Sequence, residues 1–117
     1  MTIFKQFTFD SAHFLPLVPD GHKCREIHGH TYKLTIFIDG PLVDPGWVVD
    51  FGEIKYAVNN VLKSVDHKLL NNVDGLENPT CELLSKWLWD KIVTALPLLK
   101  RIELFETPTS GVIYEGA

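Results

Sequence analysis

Three of the five histidines, His22, His28 and His30, fall within nine residues of one another, and Cys24 lies among them. His28 and His30 are two apart; on a strand both side chains leave the same face, roughly 7 Å apart at the backbone, so both imidazoles can reach one ion. A third imidazole, His13, ends an earlier strand-like segment and stands opposite the start of the second if the two pair as a hairpin. Three neutral nitrogens suit zinc better than magnesium or calcium, and three protein ligands leave a fourth position for water or substrate. Cys24 has two roles open to it: closing the coordination sphere as a fourth ligand, or standing beside the metal as an acid/base. A nearby cation, with Lys23 and Arg25 flanking, favours its thiolate at neutral pH. Asp66-His67 can work as a proton relay, the carboxylate orienting the ring and stabilising its charged form; an exposed Asp-His pair is the plainer alternative. Glu106 shares strand parity with Ile102 and Leu104, so it points inward unless it turns into solvent at the strand end, and an inward carboxylate needs hydrogen-bond donors.

The elements that must position these groups follow from periodicity. Residues 2–13 read as a strand with Ile3, Phe7, Phe9, Ser11 and His13 on one face. Residues 28–38 read as a second, whose even positions His28, His30, Tyr32, Leu34, Ile36 and Ile38 share a face, so the histidines point the same way as the core. The Pro16–Arg25 stretch between them is a loop long enough to carry function. After Asp44-Pro45-Gly46 a short strand is expected at Trp47–Val49. Asp50, with Glu53 three residues on, resembles a capping box and opens a helix carrying Phe51, Ile54, Val58, Val61, Leu62 and Val65, ending near Asp66-His67. Asn78-Pro79 announces a second helix, with Leu84, Trp87, Leu88, Ile92 and Ala95 on one stripe, Trp89 about 200° around from Trp87, and Pro97 as the stop. Arg101–Thr107 and Val112–Tyr114 read as a closing hairpin. The order implies an α+β fold, one antiparallel sheet with two helices packed on one face.

At 117 residues and 45% hydrophobic, the chain is expected to be one domain, residues 1–117, burying roughly two-thirds of its unfolded surface. Fifteen acidic against eleven basic residues give a net charge of -4, a balance that argues against a nucleic-acid partner. No apolar run suits a membrane span and no leader pattern opens the chain, so a cytoplasmic protein without a membrane partner is expected. Two cysteines are too few for a disulfide scaffold; Cys81, with no histidine nearby in sequence, reads as structural.

The run Gly21-His22-Lys23-Cys24-Arg25-Glu26-Ile27-His28-Gly29-His30, with Ser11-Ala12-His13, Asp66-His67, Asn78-Pro79-Thr80-Cys81-Glu82 and Glu106-Thr107, resembles the 6-pyruvoyl-tetrahydropterin synthase superfamily, from Phe7 to Tyr114. A cysteine four residues before His-Gly-His is similar to the 6-carboxy-5,6,7,8-tetrahydropterin synthase branch of the queuosine (7-deazaguanine) pathway; in the pyruvoyl-forming branch the cysteine usually stands farther away. The resemblance implies a tunnelling fold (T-fold) and a homo-oligomer, typically a hexamer of stacked trimers with sites at subunit interfaces. It implies Zn2+ on His13, His28 and His30, proton abstraction by Cys24 with Asp66 and His67 completing its relay, and Glu106 with Thr107 anchoring a pterin ring. The implied reaction is a zinc-dependent carbon–carbon lyase converting 7,8-dihydroneopterin triphosphate to 6-carboxy-5,6,7,8-tetrahydropterin, with release of acetaldehyde and triphosphate. Triphosphate elimination alone, to 6-pyruvoyl-tetrahydropterin, and a non-catalytic zinc module are the alternatives. Phe14 departs from the branch, which commonly has arginine there.

Overall fold

The structure, a computed structural model, describes residues 1–116. Its elements in chain order are β1 (Thr2–His13), β2 (His28–Asp39), α1 (Phe51–Leu62), β3 (Lys68–Leu69), α2 (Cys81–Ala95), β4 (Leu99–Thr107) and β5 (Ser110–Tyr114). The strands form one sheet in the order β3-β1-β2-β4-β5. All neighbours are antiparallel except the short β1–β3 pair, which is parallel.

Period-two alternation decides which face is covered. On β1, Phe7, Phe9, Ser11 and His13 are buried while Thr8 and Asp10 are exposed, and on β2 Tyr32, Leu34, Ile36 and Ile38 are fully buried while Thr31 and Lys33 face solvent. Both helices lie on that buried face, α2 against β4 and β5 and α1 against β1 and α2. They contribute Ile54, Val58 and Leu62 from α1 and Leu84, Leu88 and Ile92 from α2 to a common core with Ile102 and Leu104. Each fully buried aliphatic side chain stabilises the fold by about 1.5–3 kcal/mol. The opposite face of the sheet stays open: Phe4 and Phe37 pair across strands at 6.0 Å, and the Arg101 guanidinium lies 5.5 Å from the Phe37 ring centroid while pairing with Glu103.

Several boundaries differ from the sequence expectation. Trp47–Val49 is not a strand; Val43 and Trp47 bridge only to each other, in a turn closed by the 2.8 Å bond from the Val43 N–H to the Trp47 carbonyl. α1 stops at Leu62 rather than near Asp66, and Phe51, in its first turn, is exposed. α2 is capped by Thr80, whose hydroxyl accepts from the Leu83 N–H at 3.1 Å, so Asn78 is not the cap and Pro79 lies outside the helix. Leu96 rather than Ala95 completes its buried stripe. Trp89, off the Leu84–Ile92 stripe, packs edge-on against Tyr114 at 5.5 Å, so it serves this chain's own β5. The two-residue β3 has no periodicity to announce it.

The Thr80 cap satisfies one otherwise orphaned helix N–H, and Thr80→Ala is expected to cost about 1 kcal/mol. That corresponds to a fall of about 4 °C in the thermal unfolding midpoint. Circular dichroism melting checks it, and an unchanged midpoint would show that the cap contributes nothing.

Candidate active site

The site sits where β1 ends and β2 begins. His13 and His28 are direct cross-strand partners in the β1–β2 register, and His30 follows two residues along the same face. The ligand nitrogens of the three rings all lie within 4.8 Å of one another, His13 buried and the other two half-buried. The expected trio is therefore brought together.

Their protonation pattern bears on what they can hold. His13 Nδ1 lies 2.8 Å from the Pro79 carbonyl oxygen, and His28 Nδ1 lies 2.8 Å from that of Glu26. A carbonyl oxygen only accepts, so both Nδ1 atoms carry hydrogen, and in the neutral rings both Nε2 atoms present lone pairs. Those two Nε2 atoms stand 3.0 Å apart. Two lone pairs at that distance repel unless a cation lies against them. His30 Nε2 adds a third nitrogen, buried with no hydrogen-bond partner among the described residues. Backbone carbonyls fixing the outer nitrogens while the inner ones converge is the arrangement expected around a metal ion, and this donor set fits zinc. Burial pulls the pKa of His13 and His30 down, opposed at His13 by the Pro79 hydrogen bond and at His30 by the Glu106 charge. Both rings are thereby kept neutral, the form that ligates.

Tyr32 lies beneath the trio, fully buried and stacked on Phe9 at 5.0 Å, with its hydroxyl 3.5 Å from His13 Nδ1. Burial, chiefly, pushes its phenol well above the ordinary range. Glu106 enters from β4 on the same side, half-buried, with Oε1 3.5 Å from His30 Nε2, as its parity required. Its neighbour Thr107 closes the β4–β5 turn by accepting from the Thr109 N–H at 3.3 Å. Glu106 and Thr107 border a groove of about 600 Å³ that His30 also lines.

Cys24 lies half-buried in a short 3-10 turn, Lys23–Arg25, its N–H donating to His22 Nδ1 at 3.1 Å and its carbonyl accepting from the Leu15 N–H at 2.7 Å. It is not part of the three-histidine cluster. Arg25, expected beside the thiol, spends its guanidinium on the Pro16 and Val18 carbonyls and on Asp20. Asp66 and His67 form a second cluster with Asp10. His67 Nδ1 donates to Asp66 Oδ1 at 2.9 Å, and the Asp10 N–H donates to the same oxygen at 3.0 Å. That backbone bond, with His67, holds the Asp66 carboxyl below the usual carboxylate range. His67 has φ 57°, a conformation uncommon for a non-glycine residue, and its ring is exposed. Within one chain His67 shares a shallow groove with the backbone around His30, lined also by Ser11 and Lys68, but is not at ligand distance from the trio. Cys81 bonds weakly to the Leu104 carbonyl at 3.7 Å, and burial pushes its thiol up to about 12, in keeping with a structural role.

Sequence reasoning did not reach the carbonyls of Pro79 and Glu26. No side-chain pattern reports which backbone oxygen meets a ring nitrogen.

Three convergent imidazoles with a carboxylate alongside, at the mouth of an antiparallel ribbon roofed by two helices, define an α+β protein with a group that could hold a metal ion and an adjoining groove. Comparison with known proteins places it more narrowly. The chain belongs to the 6-pyruvoyl tetrahydropterin synthase family, whose model matches residues 2–117. It is 34% identical to the 6-carboxy-5,6,7,8-tetrahydropterin synthase of Synechocystis sp., covering 96% of this chain and 91% of that protein. It is also 34% identical to the dihydroneopterin monophosphate aldolase of Pyrococcus furiosus, covering 97% and 96%. Among solved structures, Caenorhabditis elegans 6-pyruvoyl tetrahydropterin synthase superposes with a TM-score of 0.92 at 25% identity, over 100% of this chain and 96% of that one.

Proposed function

We propose that this chain is a zinc-dependent carbon–carbon lyase that converts 7,8-dihydroneopterin triphosphate and one water to 6-carboxy-5,6,7,8-tetrahydropterin, acetaldehyde and triphosphate, a step of queuosine biosynthesis. The observation that carries the reading is the set of three imidazole nitrogens converging beside Glu106, with Cys24 outside the set. A closed four-ligand site would give Glu106 and His67 nothing to do. Relatives named 6-carboxy-5,6,7,8-tetrahydropterin synthase support the reaction, and the spacing of Cys24 four residues before His28 supports that branch.

In this reading His13, His28 and His30 hold zinc, which supplies Lewis acidity to the hydroxylated side chain of the substrate. Glu106, with Thr107 beside it, accepts hydrogen bonds from the 2-amino and ring N–H groups of the pterin and fixes its orientation. Cys24 takes a proton from the side chain held against the three histidines. His67, its Nδ1–H held by Asp66, has Nε2 free to accept or return a proton. Among the described residues the outer edge of β1 from Thr2 to Asp10 has no strand partner, because β3 covers only Ser11 and Ala12. This open edge supports a homo-oligomer, a hexamer of stacked trimers, in which neighbouring chains bring Cys24 and His67 to one site. Among the described residues no helix is long and apolar enough to cross a membrane, and the two free thiols suit the cytoplasm.

Incubating the purified protein with dihydroneopterin triphosphate and identifying the products tests the reading. Acetaldehyde with 6-carboxy-tetrahydropterin supports it; 6-pyruvoyl-tetrahydropterin, another cleavage product, or no turnover overturns it. Glu106→Gln places an amide donor where the pterin needs an acceptor and is expected to raise KM at least tenfold while the metal stays bound. An unchanged KM would remove Glu106 from the pterin anchor.

A further inference from the structure

Asn71 is half-buried in the 3-10 turn (Leu70–Asn72) that follows β3, and its amide is fully used. Its Oδ1 accepts from the Phe14 N–H at 3.0 Å, and its Nδ2 donates to the Phe14 carbonyl at 2.8 Å. The second Nδ2 hydrogen reaches the Glu77 carbonyl at 3.4 Å. One side chain thus grips both backbone groups of the residue after His13. It also touches the segment whose Pro79 carbonyl, two residues on, fixes the His13 ring.

The neighbouring contacts extend this grip. Phe14 is followed by Leu15, whose N–H donates to the Cys24 carbonyl. On the other side, Asn71 is four residues from His67, and the Lys68–Leu69 strand between them pairs with Ser11–Ala12. The amide of Asn71 continues that short parallel ladder past its end, standing in for a strand residue opposite Phe14. The backbone at Phe14–Leu15 is therefore the point where the His13 strand, the Cys24 loop and the His67 turn are tied together.

We infer that Asn71 is a positioning residue: it locks the junction at Phe14 so that His13 is aimed at the metal position and Cys24 is held at a fixed offset from it. It touches neither the three-histidine cluster nor Glu106, so its effect passes through geometry. Outer partners of metal ligands commonly contribute tenfold to a hundredfold in metal affinity or activity.

The experiment measures zinc affinity by competition with a chromogenic chelator, and kcat and KM with dihydroneopterin triphosphate, for wild type, Asn71→Ala and the isosteric Asn71→Asp. Asn71→Asp keeps the acceptor for the Phe14 N–H but sets a carboxylate oxygen against the Phe14 carbonyl. Both variants are assayed well below their unfolding midpoints. The expected result is zinc affinity weakened about tenfold or more and kcat reduced by a similar factor with KM within about twofold. Zinc affinity and kcat within twofold of wild type in both variants overturns the inference, and so does a rise in KM with kcat unchanged. A purely structural role lowers the melting midpoint without splitting kcat from KM, and that outcome also overturns it. The turnover arm rests on the reaction proposed above. If wild type forms no product, that reaction fails, while the zinc arm still decides the role of Asn71.

Discussion

Cys24→Ala is expected to bind zinc as wild type does, at one ion per chain, while losing about 10²- to 10⁴-fold in kcat. The expectation follows from where the thiol stands. The three ring nitrogens converge on one another without it, two of them with their outer N–H groups fixed by backbone carbonyls, so removing the sulfur leaves the ligand set intact. On the proposed mechanism, what is lost is the group that would exchange a proton with a substrate side chain held against the histidines. Metal analysis and steady-state kinetics on one preparation read both halves. Loss of stoichiometric zinc would make Cys24 a fourth ligand and the site a closed, structural one.

His28→Ala should act on the other half. On the proposed zinc site, zinc at a hundred times its dissociation constant is expected to stabilise the wild-type chain by about 2.7 kcal/mol, a rise of about 10 °C in the unfolding midpoint. His28→Ala is expected to abolish that rise and with it turnover. Without metal the order reverses. With both rings neutral, the wild-type chain then carries two Nε2 lone pairs 3.0 Å apart, an arrangement His28→Ala removes, so the metal-free variant should melt no lower than the metal-free wild type. Thermal scans with and without zinc make the four-way comparison. A variant that melts lower in both conditions would show that His28 packs rather than ligates.

Much of this site was legible because its residues lie on strands. Period two put His28 and His30 on the core face with Tyr32 and Leu34 and pointed Glu106 inward unless it turned into solvent at the strand end, and pairing the two strands as a hairpin put His13 opposite. The helices were legible from their apolar spacing, and the start of α1 from Asp50, whose side chain accepts from the Gly52 N–H; the start of α2 was not, since Asn78 and Thr80 both have cap chemistry and only packing decides between them. What stayed hidden was held by backbone. β3 is two residues long and pairs in parallel with a strand 57 positions earlier, and neither its length nor its composition advertises that. The Pro79 carbonyl meets His13 across 66 residues of chain and the Asn71 amide grips the Phe14 backbone across 57, and such contacts exist only once the fold has formed. Arg25 shows the converse: its charge suggested a partner for the thiol, but three local oxygens already claim it.

The pairing of β1 with β2 runs unbroken from Thr2–Asp39 to His13–His28, yet residues 14–27 join the two strands, too long a connection to dictate alignment as a two-residue turn does. A slip of one residue would carry His13 to the far side of the sheet, away from His28 and His30. An ion held between the strands as proposed would therefore discriminate among alignments as well as serve chemistry, clasping the mouth of the hairpin and rewarding only the correct one. Zinc supply during folding would then govern how much chain reaches the working alignment, before any substrate is present.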